Sequence, residues 1–277
     1  MTLVLRDMLK YQKEKITLMV NYSFLIVFLH FYQLLLKSKN SISVFLIVLL
    51  VTSCQSNEEV KLIDDTVYFP MRVGNSWIYG VEESTTLRTS CTDNGVTVAN
   101  YEMRVQITDS FPATDQGFSY VIQRSKRMKV TDPWQALDTW TVQRTGNQII
   151  SNQSNIKYVK LVVPLSNGLV WNGNLFNNQE ELNGLNEDNY KAMLKGQPFT
   201  NPSGLTFNQT VTIVQNEEQS NIIYRDSRVE VYAFGVGLVY KESYLLKYFS
   251  NSQLPCFGQK KTQQGITYKQ TLKEFTM

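Results

Sequence analysis

The side chains best suited to chemistry in this sequence are three cysteines, one histidine and several adjacent pairs of carboxylates. The histidine, His30, lies in an apolar amino-terminal region, so the chain after Cys54 contains no imidazole. That part of the chain therefore lacks the base of Ser-His-Asp and Cys-His nucleophile systems. It also lacks the ligands of His-based zinc sites, and two remaining cysteines cannot complete a site of four thiolates. We expect no metal and no cofactor, and we identify no catalytic residue.

Catalysis by two carboxylates, as in many glycosidases, needs no histidine and stays open. The candidates are adjacent acidic residues, but neighbours on a strand point to opposite faces. Such pairs are more typical of a solvated edge than of a catalytic site. They are Glu82-Glu83, Glu180-Glu181, Glu187-Asp188 and Glu217-Glu218.

Cys54 ends an apolar run that begins at Ile42 and follows Lys37 and Lys39. The run has the length of a signal-peptide core, roughly 7 to 15 residues, and is shorter than the roughly 20 residues that cross a bilayer. Its end, Val51-Thr52-Ser53-Cys54, resembles the lipobox of bacterial lipoproteins. In that family the cysteine thiol carries diacylglycerol, the preceding peptide bond is cut and the new amino group is acylated. The resemblance implies that Cys54 is the lipidation site and that the lipid anchors the protein to a membrane. The alternative is a buried helix or uncleaved anchor with an incidental cysteine.

A second apolar stretch, Ile16 to Leu36, lies upstream and is long enough to cross a bilayer. It indicates either a start codon assigned too early, which we favour, or a transmembrane helix. In both cases residues 1–53 form a signal region that is set aside for the fold. Residues 54–66 have the polar composition of a flexible tether. Residues 67–277 are enough for a single β-rich domain with a sizeable core.

Charge separates these parts and excludes one class of partner. The first 54 residues contain six Lys or Arg and two acidic residues, which leaves 21 basic and 22 acidic residues in the rest. A net charge of −1 gives no basic footprint for nucleic acid.

The residues after Cys54 bear on the choice of membrane. Gln55 is not the aspartate associated with inner-membrane retention of lipoproteins in double-membraned bacteria. The run Gln55-Ser56-Asn57-Glu58-Glu59 also resembles the acidic export signal of surface lipoproteins in Bacteroidota. Both resemblances imply a lipid-anchored protein of the outer membrane that faces the periplasm or the cell surface.

With Cys54 assigned to lipid, Cys91 and Cys256 remain. An even pair in an exported protein predicts a disulfide. In the chain-entropy model, closing so long a loop stabilises the fold by at most about 5 kcal/mol. The alternative is two unpaired thiols.

From Tyr68 onward the dominant hydrophobic period is two, with turn residues between the runs. Closely spaced strands without intervening helices favour antiparallel pairing. We therefore predict a mainly antiparallel all-β domain, built as a curved sheet, a sandwich or a barrel-like sheet. One short helix is expected from about Glu187 to Lys195, where Asn186 is a suitable N-cap and Gly196 a suitable end.

Two further segments carry a resemblance, Tyr68-Phe69-Pro70-Met71-Arg72-Val73-Gly74-Asn75-Ser76-Trp77-Ile78-Tyr79 and Gly235-Val236-Gly237-Leu238-Val239-Tyr240-Lys241-Glu242. Together they resemble a group of uncharacterised Bacteroidota lipoproteins. The resemblance implies a β-rich envelope domain and brings no catalytic residue with it.

The tryptophans offer a binding interpretation beside the structural one. Aromatic rings stack on sugar faces and on acyl chains, although most rings here alternate as a sheet core would. The four are Trp77, Trp134, Trp140 and Trp171. We expect a non-enzymatic envelope protein that binds a ligand or assembles with other envelope proteins. The alternatives are a carrier or sensor for a lipid or glycan, and a histidine-free carbohydrate-active enzyme.

Overall fold

The computed structural model describes residues 64–113, 117–177 and 187–277. The signal region, His30, Cys54 and most of the tether lie outside the described residues, as does the pair Glu180-Glu181. Within the described part, no helix has the length and apolar character needed to cross a bilayer.

The domain consists of strands, preceded by one short 3-10 helix, η1. Alternating apolar and polar side chains, rich in β-branched and aromatic residues, account for strands of this length. Their bounds are η1 Asp65–Tyr68, β1 Ser76–Leu87, β2 Val96–Pro112, β3 Phe118–Arg127, β4 Gln135–Thr145, β5 Gln148–Gln153, β6 Ile156–Val162, β7 Val170–Asn172, β8 Asn189–Thr200, β9 Thr206–Glu218, β10 Tyr224–Ala233, β11 Gly237–Tyr248 and β12 Thr262–Thr276.

The twelve strands of the described residues all belong to one antiparallel sheet with the order β6-β5-β4-β3-β2-β1-β12-β11-β10-β9-β8-β7. Almost every strand pairs with its neighbour in sequence, and β1 also pairs with β12 along its whole length, from Ser76 with Thr276 to Leu87 with Gln264. The sheet curves into a nearly closed barrel shape. This confirms the all-β antiparallel prediction and selects its barrel-like form.

The two edge strands, β6 and β7, are adjacent in sequence and approach each other across the seam. The amide of Val159 donates to the carbonyl of Gly173 at 2.9 Å, and the indole Nε1 of Trp171 donates to the carbonyl of Val159 at 2.8 Å. An exposed strand edge can pair with another chain and cause aggregation, so these contacts protect the edges of β6 and β7.

The amino-terminal segment closes one end of the sheet. The ring of Phe69 lies 5.9 Å from that of Tyr232, and the ring of Tyr68 lies 5.5 Å from that of Phe234. Asp65 is 3% exposed and accepts a hydrogen bond from the amide of Leu165. Asp65 and Thr66 therefore belong to the folded domain, although composition assigned them to the tether.

The helix predicted from about Glu187 to Lys195 is wrong, because β8 occupies Asn189–Thr200. Tyr190 and Ala192 are buried, whereas Asn189 and Lys191 are exposed. Burial thus alternates with period two, and sheet pairing on both sides of β8 outweighs the local capping signals.

The predicted cysteine pair is bonded in the structure: Cys91, in the loop between β1 and β2, forms a disulfide with Cys256, in the loop between β11 and β12. The bond joins two loops that extend from the same end of the sheet, opposite η1.

The seam between β6 and β7 generates a stability prediction. A Cβ at Gly173 would lie 2.3 Å from Cζ of the buried Tyr190 ring, so Gly173→Ala forces the ring and the seam apart. We expect a loss of about 1–3 kcal/mol, typical of overpacking, in the free energy of unfolding measured with urea. Gly117→Ala is the control, since its Cβ would meet nothing nearer than 3.6 Å. Equal stability of the two variants would contradict this account of the seam.

Candidate ligand-binding cavity

The concave face of the sheet encloses a cavity of about 470 Å³. This volume falls in the range of small-molecule sites, about 300–1,000 Å³. Its deep part is lined by the buried side chains of Trp77, Tyr79 and Met103 on β1 and β2, and by the partly buried Leu238 on β11. Register explains their shared orientation, because Trp77 faces Val105 and Tyr79 faces Met103 across β1 and β2.

The other end of the cavity meets solvent. Leu137 and Ile266 line it and are 38% and 44% exposed, and Leu245 pairs with Ile266 beside them. These residues lie at the end that carries the disulfide-linked loops. The cavity therefore has an apolar mouth at this end and a floor closed by the Phe69 and Pro70 segment.

A buried ionic cluster joins β6 to the neighbouring pair β10 and β11, from which β6 is separated in the sheet order. The ammonium of Lys160 lies 2.7 Å from the carboxylate of Glu230, and that of Lys241 lies 3.2 Å from the same group. The phenol of Tyr232 donates to the second oxygen of Glu230 at 2.6 Å. The cluster thus holds two cations around one anion.

The cluster also sets the protonation of its members. Burial alone would raise the pKa of Glu230, but Lys160 and Lys241 hold that pKa well below its usual range. Burial lowers the pKa of Lys160, and Glu230 partly offsets the effect. Burial and the nearby carboxylate raise the pKa of Tyr232, so its phenol keeps the proton that it donates.

The opposite wall carries a second ion pair beside an aromatic ring. The guanidinium of Arg124 contacts Asp138 through two hydrogen bonds and lies 3.6 Å from the centroid of the Trp140 ring. The indole Nε1 of Trp140 is buried and has no hydrogen-bond partner among the described residues. It is a donor on the cavity lining that stays unsatisfied, which a buried polar group seldom does.

A further buried ionic cluster joins Asp188, the residue before β8, to β10. Arg228 donates to Asp188 at 2.7 and 2.9 Å and to Asp226 at 2.6 and 2.9 Å. Burial raises the pKa of Asp188, while its bonds to Arg228 act in the opposite direction. None of these three residues lines the cavity. They contribute to the wall behind it.

In the three acidic pairs within the described residues, the two carboxylates do not share one site. Glu82 and Glu83 lie on opposite faces of β1: Glu83 lines the cavity and accepts from Tyr101 at 3.1 Å, whereas Glu82 faces the outside. Asp188 is buried against Arg228 while Glu187 is exposed. Glu217 is exposed and Glu218 accepts hydrogen bonds in the turn after β9. Neighbours on a strand diverge, as expected.

The four tryptophans occupy different environments in the structure. Trp77 and Trp140 line the cavity, and Trp171 packs in the core against Tyr190. Trp134 is half-buried with Arg104 at 4.9 Å and Arg127 at 4.4 Å from its ring centroid. Its ring is thus already occupied by two guanidinium groups.

The segments 68–79 and 235–242, which resemble uncharacterised Bacteroidota lipoproteins, meet at the cavity floor. The indole of Trp77 donates to the carbonyl of Val236 at 2.7 Å, and the phenol of Tyr79 donates to that of Leu238 at 3.0 Å. Gly237, with φ +98°, lies where a Cβ would be 3.3 Å from Pro70. Both segments therefore have a structural role in closing one end of the domain.

Sequence analysis missed Lys160, Glu230 and Lys241. The available signal was a charge inside an apolar strand, as in Tyr158-Val159-Lys160-Leu161-Val162 and Val229-Glu230-Val231-Tyr232. Within a period-two strand Glu230 has the parity of Tyr232, which places it inward.

A larger groove of about 830 Å³ lies on the outer face of the sheet, above β1, β2 and β12. Several of its charges are paired with other protein groups: Glu102 with Lys273 and Arg127, and Lys269 with Glu242. Because the lining of the inner cavity is more apolar, the inner cavity is the better candidate site. Among the described residues, no group of three or more metal-ligating side chains is present.

Comparisons with known proteins add little to these observations. No protein-family model matches the chain, and no curated protein sequence matches it. One similar structure is a protein from Bacteroides fragilis, provisionally described as exported and with a YmcC-like fold. Its sequence is 11% identical and the TM-score is 0.36. The similarity covers 76% of this chain and 98% of that chain. Another, from Parabacteroides distasonis and provisionally described as a lipoprotein, shows 14% identity and a TM-score of 0.35 with the same coverage. Both TM-scores lie below 0.5, so neither similarity supports a conclusion about this chain.

The ionic cluster generates a prediction about pH. The pKa of Glu230 is lower in the folded chain than its ordinary value of 4.5, so its contribution to stability is complete above that value and is lost as the pH falls below it. Glu230→Gln leaves Lys160 buried without its anion and should cost about 3–5 kcal/mol at neutral pH. In urea unfolding, the gap between wild type and variant should shrink as the pH falls through 4.5.

Glu82→Gln is the control for this experiment, since Glu82 faces the outside of the same sheet. It should leave the stability at neutral pH and its decline in acid nearly unchanged. A Glu230→Gln variant that matched this control at neutral pH would refute the assigned role of the cluster.

Proposed function

We propose that this protein is a lipid-anchored, non-enzymatic protein of the outer membrane that binds a lipid-like ligand in the cavity of its β domain. The observation that carries the proposal is the cavity itself. It combines a largely apolar, aromatic interior with an apolar mouth, and strands of the sheet line it. Enclosed apolar surface is what an acyl chain requires to leave water.

The position of the chain entry supports the same proposal. The described chain begins next to η1, where Asp65 is also bound by the ammonium of Lys195 at 2.8 Å. This is the closed end of the domain. The mouth lies at the opposite end, so a ligand can enter or leave without displacing η1.

The anchor has a direct test by intact mass spectrometry of the protein expressed in a double-membraned bacterium. We expect a species that begins at Cys54 and carries added acyl mass, because the thiol of Cys54 is the acceptor in the lipobox. Cys54→Ala should abolish the acyl mass, whereas the control Cys91→Ala should retain it. An unacylated wild-type chain of full length would refute the anchor.

The cavity is tested with a matched pair of substitutions on β11. Leu245 faces the cavity mouth, and Leu246 is the next residue on the opposite face of the strand. Leu245→Trp should fill the mouth and weaken binding of the neutral apolar dye Nile red at least tenfold. Leu246→Trp should leave the dye affinity within about twofold of wild type. The measurement is dye fluorescence with the purified full chain held in amphipol.

Equal dye affinity in the two variants, with both folded by circular dichroism, would place binding outside the cavity. Mass spectrometry of an organic extract of the purified protein then gives an independent check. Less co-purified lipid is expected with Leu245→Trp than with Leu246→Trp.

A further inference from the structure

We propose that the ligand is an amphiphile with a single anionic head group, held by the ammonium of Lys241 inside the cavity. This inference rests on the proposed lipid-binding function and adds the chemical class of the ligand. It follows from the charges that line the cavity and from the bonding capacity that the protein leaves unused.

Lys241 is the cation on the lining with capacity to spare. Its ammonium has three donors, and Glu230, at 3.2 Å, is its sole ionic partner within the described part of the chain. Its side chain is 27% exposed, in contrast with 8% for Lys160. Lys241 therefore combines a charge with access to the cavity.

The other charges on the lining are already committed. Arg124 donates two hydrogen bonds to Asp138 and one to the sulfur of Met103, and the carboxylate of Glu230 is shared by Lys160, Lys241 and Tyr232. Glu83 lies one inward-facing position nearer the mouth than Lys241, and its carboxylate accepts a hydrogen bond from the phenol of Tyr101. Around Glu230, two ammonium groups face one carboxylate, which leaves a local excess of one positive charge.

The indole of Trp140 points to the same ligand chemistry. Its Nε1 is the buried side-chain polar atom that the described cavity lining leaves without a partner, and it is a donor. An unsatisfied donor favours a ligand that brings an acceptor. The sheet order separates β4 from β11 by β3, β2, β1 and β12, so the two donors belong to different walls of the cavity.

Apolar surface surrounds the ionic cluster on both sides. Trp77, Met103 and Leu238 lie towards the floor, and Leu245 with Ile266 lies at the mouth. A head group at Lys241 therefore has room for an apolar body in contact with these side chains. A hydrophilic anion without such a body would leave that surface uncovered, so free phosphate or a small sugar acid fits less well.

The test compares four probes with the same alkyl chain: dodecanoate, dodecyl phosphate, dodecanol and dodecyltrimethylammonium. Each displaces Nile red from the full chain in amphipol, and the readout is the dissociation constant. We expect the anions to bind about tenfold to a hundredfold more tightly than dodecanol, as a charge-assisted hydrogen bond allows. Tighter binding of dodecanoate than of dodecyl phosphate would identify a carboxylate, and equal binding would identify any single anionic head group.

Lys241→Met removes the ammonium and keeps an unbranched apolar side chain, while Lys160 continues to pair with Glu230. It should abolish the preference for anions without weakening dodecanol. Lys269→Met is the matched control, because Lys269 also lies 3.2 Å from a glutamate, Glu242, but lines the outer groove. The control should keep the preference intact.

Three results would overturn the inference. Equal binding of dodecanoate and dodecanol would refute the preference for an anionic head group but would still agree with the proposed lipid-binding function. Tightest binding of the trimethylammonium probe would assign the head-group site to Glu83 and Glu230. Failure of all four probes to displace the dye would defeat the inference and the proposed function together.

Discussion

The pairing of β1 with β12 is the constraint on which the rest of this structure depends. It joins the first strand of the domain to the last one, so two meanders, β1 to β6 and β7 to β12, become one continuous curved sheet. Without this pairing, both strands would be open edges, and the inward-facing residues of β1 and β12 would have no common interior. The cavity, its closed floor and the disulfide between distant loops all presuppose this contact.

The interior of this sheet contains buried charges, whose removal from water is unfavourable. Lys160 and Glu230 are both removed from water, and each would be destabilising without the other. A well-packed apolar pair often serves stability as well as a buried ion pair does. The presence of two lysines around one carboxylate, beside a largely apolar cavity, therefore fits the proposed anionic ligand better than a purely stabilising role.

The two ends of the domain differ in a way that suits this interpretation. At the floor, aromatic packing and the hydrogen bonds of Trp77 and Tyr79 fix the amino-terminal segment to the turn between β10 and β11. At the mouth, half-exposed aliphatic side chains such as Leu137 and Ile266 line the opening. The floor is therefore closed by packing and hydrogen bonds, whereas the mouth keeps apolar surface in contact with solvent.

The sequence by itself determined the class of the fold, because period-two burial is local and shows in runs such as Tyr101 to Ile107. It also paired Cys91 with Cys256 by elimination. It did not determine β8, whose local helix signals are overridden by pairing with β7 and β9. Nor did it bring Lys160, Glu230 and Lys241 together, since strand parity gives a side chain's face but not its partners across the sheet. Those partners follow from the curvature and register of a sheet closed by β1 and β12, which only the tertiary structure decides.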